Sequence, residues 1–349
     1  MNYMYEKTPT PRDGLRLHLS ESTLGCSPAV VEALRTLTSE DVAYYPDYAA
    51  ANLAAAQYLG VAADELLLTN GLDEGILAVS VRALRGGAAA DPHEAIVVVP
   101  AFDMYAASAD AAGGRVVEVP LTDHFGFPLE QVLAAITPRT RIIYITDPNN
   151  PTGLSVPAGV VARIAAAARH AVVFVDEAYA EFRGDITVDR ELLAGNPNVI
   201  VGRTFAKAHG LAALRVGALV ASPATLEPHR QVVPPYSLNV AAAVALPAAL
   251  GDQRHLARYL EEVRASRELL YRSLDRLGVE YWRSDANFVL ARFGDDAGTV
   301  FDALRERRIY VRDRSSAPGC AGCLRVTTGV LEHTERAVQA IEEVLCAAQ

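Results

Sequence analysis

The chain has 349 residues, 51% hydrophobic and 21% charged, which is enough apolar material for a large core and excludes a disordered protein. Its 32 basic and 42 acidic residues give a formal charge of −10, which argues against a nucleic-acid-binding face. Four cysteines are too few for a disulfide framework, and no run approaches the roughly 20 apolar residues of a membrane span, so a reduced, cytoplasmic, enzyme-sized protein is expected.

Residues 1–40 carry no strong strand signal. Short β-branched runs then recur at 66–69, 95–99, 115–119, 141–146, 171–175, 198–201 and 216–221. Most are continuous apolar stretches without polar alternation, the pattern of strands covered on both faces. Helical patterns at 74–84, 103–112 and 157–170 separate several of them. Strands alternating with helices predict a mostly parallel sheet with right-handed crossovers. After the segment PPYSLN (residues 234–239) the pattern changes. Helical stretches at 241–250 and 252–277 follow, with Asp252 as a predicted N-cap for the second. Short strands at 280–282, 288–292, 309–312 and 324–328 then mix with helices at 298–307 and 331–347. The expected architecture is α/β. A large domain (35–240) holds the parallel sheet flanked by helices, and a small α+β domain is made of 1–34 and 241–349.

Ligands of open α/β sheets bind beyond the carboxyl ends of the strands. The segments there are TNGLDEGI with Gly71, Leu72 and Asp73, PAFDMY with Phe102, DPNNPTG with Asn150, DEAYAEF with Asp176 and Tyr179, and RTFAKAHGLAALRVG with Thr204, Lys207 and Arg215. A glycine opening a helix lets backbone N–H groups face a phosphate. A lysine amine condenses with an aldehyde, and a carboxylate keeps a pyridine nitrogen protonated. An aromatic ring stacks on a flat cofactor. Together these meet the requirements of pyridoxal 5′-phosphate.

On these motifs the chain resembles the fold type I pyridoxal-phosphate enzymes, the class I/II aminotransferases, and most closely their histidinol-phosphate aminotransferase branch. The resemblance runs from about Leu17 to the final helix. Its motifs keep the family's order, ending in PPY, NF at Asn287 and Phe288, VRD, and LRVTTG. It implies that Lys207 carries the cofactor and that Asp176 faces the ring nitrogen. Tyr179 and Asn150 would bond the ring oxygen, and Phe102 would stack where the branch usually has tyrosine. Gly71, Leu72, Asp73, Thr204 and Arg215 would hold the phosphate. Ala206 stands where the branch often has serine, which removes one phosphate contact. Arg325 would grip the substrate α-carboxylate, with Asn150 beside it, and Arg312 the substrate's far end.

The resemblance also implies a homodimer with shared active sites, Tyr45 reaching into the neighbouring subunit. Tyr44 and Tyr48 are its close rivals for that role. It implies a small-molecule amino donor and a 2-oxo acid acceptor, 2-oxoglutarate, with no nucleic acid and no membrane. One segment departs from the branch pattern. SESTLGCSP (residues 20–28) stands where the branch has a segment like NENPYGPSP, so that Leu24 occupies the place of a substrate-facing tyrosine. A pyridoxal-phosphate decarboxylase of the threonine-phosphate type and an aromatic amino acid aminotransferase are the alternative readings. A ligand-sensing regulator on the same fold would need a DNA-binding domain, and only about forty residues precede the first core helix. No metal is expected, since Cys320 and Cys323 have C-x-x-C spacing without a second pair of ligands.

Overall fold

The computed structural model describes residues 3, 8, 10–88 and 90–347. A seven-stranded sheet runs in the order Leu66–Thr69, Gly217–Val220, Val199–Thr204, Val172–Asp176, Thr140–Thr146, Glu94–Val99 and Arg115–Pro120. The last five are parallel. Alternate residues of one strand serve opposite cores. Ile143 and Ile145 join one cluster, Ile142 and Tyr144 the other, and all four are at most 1% exposed. Helices therefore cover both faces, which explains the missing polar alternation.

Gly217–Val220 runs antiparallel to both its neighbours. Its apolar residues do not reveal direction, but the connection does. Residues 205–216 hold only the short helical turn Ala212–Leu214. Without a crossover helix the chain turns back along the sheet. This return is the stretch that carries Lys207 and Arg215.

The smaller sheet is antiparallel, in the order Arg312–Asp313, Cys323–Thr327, Phe288–Arg292 and Glu280–Tyr281. Helices Gln253–Leu277, Ala297–Glu306 and Leu331–Ala347 pack around it through residues such as Leu270, Leu304 and Ile341. Asp252 caps the first of these, its carboxylate accepting from His255 N at 3.1 Å. The expected strand 309–312 is split at Val311. Ile309–Tyr310 pairs in parallel with Leu15–Arg16, and Arg312–Asp313 joins the antiparallel sheet. The first forty residues thus serve both lobes. Leu15 and Leu17 lie in the small core, while Val30 of helix Pro28–Arg35 lies in the large one. Helix Val240–Gly251 also sends Ala242, Leu246 and Ala249 into the large core, so the expected division at 240/241 falls at its first residue. Among the described residues, no helix is long and apolar enough to cross a membrane.

Candidate active site

At the carboxyl ends of the parallel strands lies a cavity of about 310 Å³, within the usual size range of small-molecule sites. It is lined by Leu72, Asp73, Phe102, Asn150, Asp176, Tyr179, Thr204, Lys207 and Arg215 from the large lobe, and by Arg312 and Arg325 from the small one. Eleven of the fourteen residues singled out in the sequence therefore meet here. Gly71, Leu24 and Tyr45 do not line the cavity.

Asp176 ends its strand and is 4% exposed. Its carboxylate accepts from Tyr105 Oη at 2.6 Å and from Ala178 N at 2.9 Å. Burial nevertheless pushes its pKa up to about 6. No salt bridge to it is formed among the described residues, so a buried carboxylate faces the cavity without a bonded cation. Thr146 donates to Tyr105 Oη at 3.0 Å, and the Tyr105 ring stacks on Tyr144 at 5.0 Å. This chain of groups fixes the orientation of Asp176 from the interior side.

Lys207 Nζ donates to Leu19 O at 3.0 Å and lies 6.0 Å from the centre of the Tyr179 ring. Burial, with Arg325 and Arg215 adding to it, pulls its pKa down to about 8 against the opposing Glu21 and Asp73. About a tenth of the amine is therefore neutral at pH 7, far more than for a lysine at its ordinary pKa.

Gly71 opens the helix Leu72–Leu84 at φ +74° with no side-chain cap. A Cβ there would sit 2.5 Å from Arg215 Nη2, so only glycine lets the guanidinium approach the helix N-terminus. Arg215 donates to Asp73 at 2.6 Å and is itself left-handed, at φ +57°. Backbone N–H groups, a hydroxyl at Thr204 and this arginine converge as an anion cradle.

The two adjacent asparagines divide their tasks. Asn149 Oδ1 accepts from Thr152 N at 3.2 Å and Thr152 Oγ1 at 2.8 Å, and its amide donates to Pro100 O at 3.2 Å. That anchors the turn and leaves Asn150 facing the cavity, where it accepts from Arg325. Arg325 also donates to His18 O at 2.8 Å, and its guanidinium lies 4.8 Å from the Phe288 ring centre. Phe102 meets Tyr105 edge-on at 5.8 Å.

Leu24 packs against the apolar cluster that contains Tyr179, Phe182, Tyr259 and Phe288. Tyr45 is 78% exposed and stacks on Tyr236 at 4.3 Å. Tyr48 donates to Leu238 O at 2.6 Å within its own chain, whereas Tyr44 is 71% exposed. Cys320 and Cys323 are buried beside Trp282 and Phe125, and neither is in a disulfide.

Sequence reasoning passed over Tyr105, Thr146, Asp103, Arg203 and Arg314. Tyr105 stands three residues after Phe102, its N–H donating to Phe102 O at 3.3 Å, and Arg314 two after Arg312, the period that brings extended residues to one side. Arg203 lies outside the cavity, with Nε 2.9 Å from Glu177 and Nη1 3.3 Å from Glu181, and ties down the loop that follows Asp176.

The donor set suits a flat ring that is cationic at one edge and carries a phosphate at the other. Asp176 would meet the cationic edge, the Gly71 and Arg215 cradle would take the phosphate, and Lys207 is an amine able to condense with an aldehyde.

The profile of aminotransferase class I and II matches residues 12–341. Histidinol-phosphate aminotransferase of Moorella thermoacetica is 34% identical over 343 residues, which cover 96% of this chain and 86% of that protein. Histidinol-phosphate aminotransferase 2 of Ralstonia nicotianae is 38% identical over 343 residues, covering 96% and 90%. The crystal structure of histidinol-phosphate aminotransferase from Sinorhizobium meliloti in complex with pyridoxal-5′-phosphate superposes with a TM-score of 0.86 at 27% identity, over 96% of this chain and 92% of that one.

Proposed function

Because this chain belongs to the aminotransferase class I and II family, we propose that it passes an amino group from a donor anionic at its far end, of the histidinol-phosphate kind, to 2-oxoglutarate. The protein is a pyridoxal-phosphate-dependent transaminase. When bound, pyridoxal 5′-phosphate supplies the electron sink that stabilises a carbanion at the substrate Cα. The donor reading rests on one observation. After the cofactor's needs are met by Asp176, Lys207 and Arg215, the cavity still presents Arg312 and Arg325.

The residues then divide the work. Lys207, whose free amine has its pKa lowered to about 8, would hold the cofactor through Nζ and give way to the donor's amine. The freed Nζ would serve as the acid–base group that takes the substrate Cα proton and gives it back. Asp176, oriented by Tyr105, keeps the ring nitrogen protonated. Tyr179 and Asn150 would bond the ring oxygen, and Phe102 would cover a ring face. Arg215, Thr204 and the N–H groups after Gly71 hold the phosphate. Arg325 takes the α-carboxylate of 2-oxoglutarate by a bidentate pair, releasing Asn150 to do so.

The test is a panel of amino donors, histidinol phosphate, histidinol and phenylalanine among them, mixed with the holoenzyme while the cofactor absorbance is followed. Histidinol phosphate should convert the spectrum at far lower concentration than histidinol. Equal responses, or a response to phenylalanine alone, would remove this donor. Release of carbon dioxide in place of an oxo product would assign a decarboxylase.

We also propose a homodimer in which Tyr45 completes the partner's phosphate site. Tyr44, Tyr45 and Tyr236 form an exposed aromatic group, 71%, 78% and 55% accessible, and such patches mark association surfaces. Mixing Tyr45→Ala and Lys207→Ala proteins under subunit exchange should restore activity, since one site in each heterodimer keeps both residues. No recovery after exchange is demonstrated by mass would disprove sharing.

A further inference from the structure

The small sheet sends three arginines into the cavity from one face. Arg312 and Arg325 stand directly opposite each other on antiparallel strands. Cross-strand neighbours of like charge repel. Arg314 follows Arg312 by two residues, so it points to the same side, and it lines the same cavity. Its backbone is fixed, N donating to Cys323 O at 3.0 Å and O accepting from Ala317 N at 2.8 Å. Its side chain is 13% exposed. It faces one carboxylate, Asp103, at 3.9 Å, and its Nε is buried without a hydrogen-bond partner among the described residues.

The charges of the cavity sharpen the point. Asp73 is paired with Arg215 and Glu21 with Arg16. Asp176 is the carboxylate reserved for the cofactor ring. Asp103 alone then opposes Arg312, Arg314 and Arg325 among the carboxylates that line the cavity. A donor of the histidinol-phosphate kind has no α-carboxylate to place on Arg325, so with it bound three guanidiniums face one half-exposed aspartate, an excess of two positive charges. A dianionic group would balance them, and planar guanidinium forks match a phosphate monoester.

We infer that Arg314 is a specificity-determining residue that, with Arg312, clasps a phosphate monoester at the far end of the donor, and that Asp103 holds Arg314 in place until that group arrives. This rests on the proposed donor class but makes its own demand, a phosphate subsite with Arg314 in it.

The probes are histidinol phosphate without its amine, 3-(imidazol-4-yl)propyl phosphate, and the matching alcohol, which bind without turnover. Calorimetry on the holoenzyme should show the phosphate binding at least tenfold more tightly than the alcohol. Arg314→Gln should erase most of that ratio, Arg314→Lys should restore part of it, and Asp103→Asn should widen it. In turnover, the Arg314→Gln loss should fall on the KM of phosphorylated donors more than on kcat. Each variant must keep the cofactor band, which reports an intact site. A wild-type protein that does not distinguish the probes overturns the inference. So does an Arg314→Gln protein that keeps the wild-type ratio, or one that loses both probes equally. If the wild type binds the phosphate probe tightly yet does not react with histidinol phosphate, the donor named above is wrong while the subsite stands.

Discussion

A Lys207→Ala protein should transaminate at least about 10⁴-fold more slowly than wild type, the upper range for loss of a positioned acid–base group, and should lack the absorbance band near the visible edge. A band that persisted unchanged would refute the assignment. The expectation is large because the proposed function gives one atom two tasks, covalent attachment and proton transfer, and the chain has no substitute. The sequence contains only two lysines, Lys7 and Lys207. Borohydride trapping of the wild-type holoenzyme should therefore give one modified peptide, the one containing Lys207. The lowered pKa adds a pH signature. Only the neutral amine attacks an aldehyde. The rate at which the apoprotein captures pyridoxal phosphate should thus rise with pH and level off above about 8. An ordinary exposed lysine would keep rising toward about 10.4.

The second large effect is expected for Asp176→Asn. The substitution keeps the shape and removes the charge, so kcat should fall by about 10²–10³, the loss typical of one preorganised electrostatic group. Cofactor should remain bound through the Gly71 and Arg215 cradle. Tyr105→Phe should fall between this variant and wild type, because Tyr105 acts through Asp176. Steady-state kinetics on protein with confirmed cofactor content measures both, and a kcat within threefold of wild type for Asp176→Asn would show that the carboxylate does not set the electronics of the ring.

The parts legible in the sequence share a physical property, that they are local. Asp176 and Lys207 were found because a strand is a short apolar run and its end can be read to within a residue or two. The division of labour between Asn149 and Asn150 follows from the turn itself. What escaped depends on pairing between distant segments. The split of 309–312 at Val311 requires Leu15–Arg16, some three hundred residues away, as a partner. The reversed direction of Gly217–Val220 lies in its connection, which forms no crossover helix, rather than in its residues. Helix Val240–Gly251 reads as a generic alanine-rich helix. Its place in the large core comes from Ala49–Leu59 and Pro28–Arg35, against which it packs. Nothing local marks Tyr105, whose part comes from its hydroxyl donating to Asp176, or Arg314, whose part comes from the pairing of Arg312 with Arg325 beside it.

That last opposition has a thermodynamic consequence. A sheet with two arginines paired across its strands and lining one cavity is stabilised by an anion that binds both, because a ligand that binds only the folded state adds RT ln(1 + [L]/Kd) to its stability, about 2.7 kcal/mol at a hundredfold excess over Kd. The free energy of folding is therefore a function of the anions in the buffer. Melting curves recorded in phosphate and in an anion-poor buffer compare two ligation states of this protein rather than two measurements of one.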